Sequence, residues 1–432
     1  MMNTKRLADY IHRNGVKSAY YAIRQRLSDN RADKAYDREM KSRVIDEAKL
    51  KRQKETRFPY EPLISILVPT YKPENKYFRE MLRSVKAQTY PKYELLLGNG
   101  GGISENTNAA LSEAKGDYIA LLDQDDFIEP DALYRIVLEI NMGAKLIYTD
   151  EDKYDTEQDR YLRAFKKPDF DMELLLSNNY VCHFLTVERK LVNDVGGFRS
   201  EYDGAQDHDL VLRCAEKLGR REIGHVSRVL YHWRIHGGST AGDPSEKSYA
   251  HTAGKRAIED YLKRNGKHGT VIETEHRGFY RVEYEESRDE SAEERTVGDN
   301  AEHKYELHLG SGIRPKRKGQ EEELRAYLEA NPDVGAIGGR VIDRRGRIMS
   351  SGYARDEDGC IAPCYIGQDY RLSGEFHMAS LRREVDIISN QCVMLRPELE
   401  SCRSGDSAKM CKRIRHKGYR IVVDPQTVYI KK

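Results

Sequence analysis

The pattern of apolar and polar residues changes character at Pro62. Before it, "YIHRNGVKSAYYAIRQRL" carries Tyr, Ile and Leu at roughly helical spacing in a polar background, which predicts a solvated helix. After it, strand and helix patterns alternate. "LISILVPTY" predicts a buried strand ending at Pro69, and "YFREMLRSVKAQ" an amphipathic helix. "YELLLG" is a strand, "ENTNAALSEAKG" a helix closed by Gly116, and "DYIALLD" a strand. "DALYRIVLEINMG" is a helix with Gly143 as its stop, and "KLIYTD" a further strand. Such alternation implies an α/β fold: a mostly parallel sheet flanked by helices, with ligands at the carboxyl ends of the strands.

Residues 284–303, "YEESRDESAEERTVGDNAEH", are nearly free of apolar side chains and read as a linker or exposed loop. A second α/β segment then runs to the C-terminus and echoes the first. "LLDQDDFIEP" (121–130) sets over "ELHLGSGIRP" (306–315), bringing Ile128 and Pro130 onto Ile313 and Pro315. "LVLRCAEKLGRREIGHVSRVLYH" sets over "AKMCKRIRHKGYRIVVDPQTVYI", a helix leading into a strand in both. The pattern divides the chain into a basic helical region (1–58), a first α/β domain (59–268), a charged linker (269–303) and a partial second copy (304–432).

Composition narrows the classes. A chain of 432 residues accommodates two or three domains, and its net charge of +2 creates no global field for nucleic acid or membrane. No apolar run reaches the roughly 18 residues a membrane helix needs, and "MMNTKRLADYIHRNG" lacks a signal-peptide core. Seven scattered cysteines, an odd number, point to reduced thiols in a cytosol. The spacings of Cys360 with Cys364 and of Cys402 with Cys411 do not repeat as a zinc site would. Residues 1–58 hold 16 Lys/Arg against 8 Asp/Glu. They fit either a solvated helix docked on the next domain or a basic helix against anionic headgroups. Nucleic-acid binding is disfavoured, because acids interrupt the arm and no nucleic-acid motif follows.

Three constellations carry candidate chemistry. In "LLDQDDFIEP", Asp123 and Asp125 are spaced as i and i+2 at the end of a strand, so both could face one hard cation. A solvated acidic turn explains the same residues. In "GGFRSEYDGAQDHDLVLRCAEKLG", Asp207 and Asp209 open a helix, either as capping acids or with Asp207 as a general base. In "YHWRIHGGST", His236 is either structural, a third metal ligand or a diphosphate contact. The glycine run in "LLLGNGGGISENTNAAL" is no Walker loop, since no Gly-Lys-Ser/Thr follows. Nor is it a dinucleotide fingerprint, because Ile103 stands where the last glycine belongs.

These motifs, with "ISILVPTYKP", "SVKAQTYPKYELLL", "GDYIALLDQDDFIEPDALY", "IYTDEDKYD", "KPDFDMELLLSNNYVCHF" and "VLYHWRIHGGSTA", resemble family 2 glycosyltransferases of the GT-A fold. The likeness is to bacterial enzymes of surface-polysaccharide synthesis, over roughly residues 60–265. It implies a nucleotide-diphosphate sugar donor, a glycan or lipid-linked acceptor, and inverting transfer at the cytoplasmic side of the cell membrane. Pro69, Thr70 and Tyr71 would edge the nucleotide pocket. Asp123 and Asp125 would form a DxD motif holding Mg²⁺ or Mn²⁺, Asp125 as the direct ligand and His236 near the diphosphate. Asp207 would be the base, with Gln206 where Glu is common.

The chain departs from the family where "YELLL" runs almost directly into "GNGGGIS". The family's Asp for the nucleotide base is absent, with a strand-helix unit, and Asn99 is left as a substitute. The alternative is therefore an impaired pseudo-glycosyltransferase that holds a nucleotide or glycan. In the second copy, His308, Gly310 and Ser311 are set at Asp123, Asp125 and Asp126, while Asp406 meets Asp207 and Ala408 meets Asp209. That set implies a non-catalytic scaffold or an acceptor-binding module.

Overall fold

Ile64, Ile66, Leu67 and Val68 are all completely buried, so their strand, β1 (Ile64–Pro69), must be covered on both faces. In this computed structural model, which describes residues 4–43, 46–236, 248–285, 305–355 and 359–432, that is its position. β2 (Tyr93–Gly98) and β3 (Tyr118–Leu121) lie parallel on either side of it. The sheet is completed by β4 (Phe127–Ile128), β5 (Leu146–Asp155), β6 (Arg160–Phe165), β7 (Thr186–Glu188) and β8 (Ile223–Ile235). Its order is β2-β1-β3-β7-β5-β8-β4, with β6 on the end of β5. β5 and β8 run parallel as expected, while β7, β4 and β6 are antiparallel to their neighbours.

The side-chain alternation of β1 feeds two layers, Ile66 and Val68 on one side and Leu67 on the other. Two helices precede the sheet, α1 (Thr4–Ser42) and α2 (Glu47–Glu55). The first layer packs α3 (Asn75–Lys86) and α5 (Ala132–Asn141) through Met81, Val85, Leu133 and Ile136. The second uses α4 (Ile103–Glu113), α6 (Met172–Leu175), α7 (Arg189–Asp194), α8 (Gln206–Ala215) and α9 (Ser248–Arg264). Each fully buried aliphatic side chain contributes roughly 1.5–3 kcal/mol.

The short connection after "YELLL" has a structural counterpart. β2 is the edge strand and Leu97 is 48% exposed. A Cβ on Gly98 would lie 1.7 Å from the Asn106 carbonyl oxygen, so α4 lies directly against the strand end. α4 itself stops at Glu113, before the expected Gly116.

α1 docks on the first sheet through its C-terminal half. The Tyr161 amide donates to Asp37 Oδ1 at 2.9 Å and the Tyr36 hydroxyl to Asp152 Oδ2 at 2.8 Å. Further back, Tyr21 lies under the Arg371 guanidinium at 4.5 Å. Val16, Tyr20, Ile23 and Leu27, spaced along one helical face, are exposed.

Residues expected to begin the linker instead form a hairpin, β9 (Gly269–Glu273) with β10 (Tyr280–Tyr284). Alternating apolar residues, Val271 and Val282 among them, are buried against the first core. The remainder of the expected linker, 286–303, lies outside the described residues.

The second sheet comprises β11 (Leu307–Leu309), β12 (Ile313–Pro315), β13 (Val334–Ile342), β14 (Ile348–Ser350), β17 (Arg383–Glu384), β18 (Cys392–Leu395) and β19 (Arg420–Lys431). A hairpin of β15 (Tyr353–Arg355) and β16 (Ile361–Pro363) stands beside it, with α10 (Gln320–Ala330) and α11 (Ser407–His416). The order β11-β18-β13-β19-β12 repeats β3-β7-β5-β8-β4 strand for strand and direction for direction.

The pairing corrects the alignment read from sequence. Leu146 opposes Val187 and Ile223, as Ala336 opposes Leu395 and Ile421. On that register Ala120 corresponds to Leu307, which carries Asp123 onto Gly310. Approached from the other edge, Ile128 opposes Tyr231 and Pro315 opposes Tyr429, which carries Asp125 and Asp126 onto Gly312 and Ile313. The expected match of His308 with Asp123 is therefore two residues out, and His308 lies within β11. Matching prolines favoured the wrong offset, whereas the sheet register is set by pairing across strands.

Candidate functional site

The acidic run was expected to continue a strand. β3 ends at Leu121, however, and residues 122–126 form a turn into β4, so the i, i+2 argument for Asp123 and Asp125 fails. The turn is held by the end of β8. Asp126 is buried, and it accepts from the Arg234 amide at 2.8 Å and the Tyr231 hydroxyl at 2.5 Å. The same Tyr231 oxygen accepts from the Asp123 amide at 3.3 Å. Arg234 Nε donates to the Asp125 carbonyl at 2.6 Å, and His236 Nε2 lies 2.7 Å from Asp125 Oδ2. The glycines and serine after His236 lie outside the described residues.

On the opposite side, β1 delivers Pro69, Thr70 and Tyr71. Thr70 donates from its amide and hydroxyl to the Gly98 carbonyl at 2.7 and 2.8 Å. Tyr71 and Gln124 exchange two bonds, amide to Oε1 at 2.8 Å and Nε2 to carbonyl at 3.0 Å. The segment expected to edge a nucleotide is thus clamped to the acidic turn, with Tyr71 69% exposed. Asn106 of α4 accepts from the Gly101 amide at 2.8 Å and donates to the Thr70 carbonyl at 3.2 Å, fixing the glycine run. Asn99 is exposed in that run.

The two acids that open α8 have separate fates. Asp209 is fully buried and carries Arg213 at 2.6 Å and Arg199 as ion-pair partners, so it is structural. Asp207, in the same first turn, accepts from Asn179 Nδ2 at 2.8 Å. Between them His208 is buried, its Nε2 2.8 Å from the Leu175 carbonyl, and burial lowers its pKa.

Asp123 and Asp207 open onto one cavity of about 80 Å³, with Pro69, Gln206, His183 and Tyr231 in its wall. Ligand atoms of Asp123, Asp126 and His183 lie within 4.8 Å of one another. Burial, followed by the charges of Asp123 and Asp125, pushes the Asp126 carboxyl well above its usual range. Such crowding of carboxylates is what a divalent cation relieves, so the donor set fits Mg²⁺ or Mn²⁺.

His183 was not singled out from the sequence. It has φ of +54° in the chain just before β7, stacks on Tyr231 at 4.5 Å, and places Nδ1 3.1 Å from Glu151 Oε2. Glu151 also meets Lys167 Nζ at 2.8 Å. Burial would raise Glu151, but Lys167 and His183 hold it at about 2. No periodicity marks His183, because β7 returns antiparallel to β3 and so puts the residues before it beside the acidic turn.

Residues 96–196 match the family model described as Glycosyl transferase family 2. The match covers 101 of the 432 residues. Over 234 residues the chain is 39% identical to the uncharacterised protein y4gI of Sinorhizobium fredii, covering 47% of this chain and 26% of that one. Over 241 residues it is 33% identical to the O-antigen biosynthesis protein RfbC of Myxococcus xanthus, covering 49% of this chain and 19% of that one. The chain therefore spans about a quarter or less of these relatives. Among solved structures, TarS of S. aureus in complex with UDP-GlcNAc aligns at TM-score 0.37 and 18% identity, over 46% of this chain and 66% of that one.

Within the glycosyltransferase family 2 segment lie the acidic turn and His183, while Asp207 and His236 come from the chain beyond it. The second copy does not reproduce this constellation. His308 pairs with Glu400 at 2.9 Å. Asp406 is the N-cap of α11, accepting from the Ala408 and Lys409 amides, whereas Asp207 sits inside its helix. Among the described residues, the groups able to hold a metal all belong to the first sheet's region.

Proposed function

We propose that this chain transfers a sugar, with inversion, from a nucleotide-diphosphate donor to a glycan or lipid-linked acceptor in surface-polysaccharide synthesis. The observation that carries the reading is the shared cavity of Asp123 and Asp207, because transfer needs a donor anchor and a base facing one reacting carbon. The family match and the polysaccharide-synthesis relative support it.

Asp207 is the base. Its Oδ1, which also accepts from the His208 amide at 2.9 Å, takes the proton of the acceptor hydroxyl while the new glycosidic bond forms at the anomeric carbon and the bond to the diphosphate breaks. The Asn179 amide holds the other oxygen, so that one lone-pair direction faces the cavity. The exposed Tyr71 ring and Thr70 border the nucleotide, and Asn99 offers a neutral hydrogen-bonding partner to the base. Asp123, Asp126 and His183, whose ligand atoms lie within 4.8 Å of one another, are the side chains that would hold Mg²⁺ or Mn²⁺, with the Asp125–His236 pair as further candidate ligands on the same turn. When bound, the cation neutralises charge on the departing diphosphate.

The exposed Val16, Tyr20, Ile23 and Leu27 face of α1, in a segment rich in Lys and Arg, supports contact with an anionic inner membrane surface. No helix among the described residues is long and apolar enough to cross a membrane.

The test is release of nucleoside diphosphate from a panel of nucleotide sugars with Mn²⁺ or Mg²⁺. Release by the natural chain and its loss in Asp207→Asn support transfer. The second reading, a pseudo-enzyme that binds without turnover, is favoured by the exposed edge at β2 and the small cavity. It is selected if donors bind and none is cleaved.

A further inference from the structure

The repeat of β3-β7-β5-β8-β4 in the second sheet puts a cavity of about 360 Å³ at the counterpart of the first site. The correspondence runs position by position. Ile313 stands where Asp126 stands, and Gln391 where His183 stands, each being equally far before its strand partner. Ser407 opens α11 as Gln206 opens α8. All of these second-copy residues line the cavity.

The three carboxylates of the first turn are replaced by Gly310, Gly312 and Ile313, which removes three charges and, at the two glycines, the side chains themselves. Gly312 has φ of +73°, a conformation that excludes most side chains. A Cβ on Gly310 would lie 3.1 Å from Gln391 Cβ, so the Gln391 side chain lies over the space above Gly310. The second copy therefore has a different pocket, reshaped around neutral groups.

We propose that this pocket binds a neutral saccharide, with no requirement for a cation. Tyr353, Ser389, Gln391 and Ser407 present hydroxyl and amide groups that both donate and accept, as sugar hydroxyls require. Ile313 and Ile387 form apolar wall for the C–H face of a ring. The two ionic groups of the lining, Asp406 and Lys431, cancel, and the Asp406 carboxylate is already committed to capping α11. A nucleotide diphosphate finds neither cation ligands nor net positive charge there. The volume falls within the roughly 300–1,000 Å³ of small-molecule sites. The inference extends the acceptor half of the proposed function and is separable from it.

The experiment is saturation-transfer NMR and titration calorimetry on the full chain. The probes are maltotetraose, cellotetraose and N-acetylated chitotetraose, each in EDTA and in Mn²⁺. At least one tetrasaccharide is expected to bind equally in both. Tyr353→Ala and Gln391→Ala should each weaken it by about tenfold or more, and Asp123→Asn should leave it intact. Gln391 is exposed, so its variant should fold, as circular dichroism would verify. Absence of binding by all three probes overturns the proposal. So does binding that needs Mn²⁺ and Asp123, which would place the glycan in the first site. Failure of the chain to cleave any donor, with tetrasaccharide binding intact, defeats the transfer reading alone.

Discussion

Asn179 donates to Asp207 at 2.8 Å while its own carbonyl oxygen is buried without a partner. The amide is thus held for the sake of one bond, and that bond aims a carboxylate into the cavity beneath the acidic turn. An unsatisfied buried oxygen costs stability, and a functional role explains why such a residue is kept.

Asp207→Asn keeps the shape and removes the proposed base. Turnover should fall by about 10²–10⁴-fold, with donor binding unchanged. Asn179→Ala should lower kcat by a smaller factor, with little change in unfolding free energy. Steady-state kinetics beside urea melts would check both, and full activity in Asp207→Asn removes the base from the mechanism.

Asp125 and His236 meet at 2.7 Å, so removing either should disturb the same site. Asp125→Ala is expected to abolish the Mn²⁺-dependent part of donor binding in calorimetry. If donor affinity in Mn²⁺ matches the natural chain, the assignment of this cation site is wrong.

His232 is buried between Asp152, at 2.6 Å, and Glu129, at 3.3 Å. Burial would lower its pKa, but the two carboxylates overcome this and raise it from 6.5 to about 9. A raised folded-state value stabilises fully below the unfolded value of about 6.5, and that contribution disappears as pH climbs through about 9. The stability gap between the natural chain and His232→Gln should therefore narrow by roughly 2–3 kcal/mol between pH 6 and pH 9.5. A gap independent of pH would show that His232 is neutral throughout.

Asp209 is fully buried on Arg213 and Arg199. Arg213→Met strips one partner from a buried charge and should cost about 3–5 kcal/mol in urea unfolding. A loss under about 1 kcal/mol would mean that Arg199 suffices on its own.

Sedimentation with vesicles tests α1. Replacing Val16, Ile23 and Leu27 with Ser should abolish binding to vesicles rich in anionic lipid. Equal binding before and after replacement would assign that face to another role.

The sequence by itself determined the α/β class, the buried β1 and the helix that carries Asp207 in its first turn. All are local signals: a strand buried on both faces reads as a continuous apolar run, and a helix start reads as acids after glycines. The repeat was also legible in its order of elements. Its register was not, because two prolines matched at the wrong offset while cross-strand pairing decides which side chains oppose one another. His183, Tyr231 and Asn179 escaped sequence reading for the same reason. Their partners lie far along the chain, as Tyr231 and Asp126 are 105 residues apart, and only closure of the sheet brings them together. Residue pattern specifies which face is buried. Which groups then share a cavity, and whether that cavity is lined with carboxylates or with neutral hydroxyls, is decided by how the strands pair.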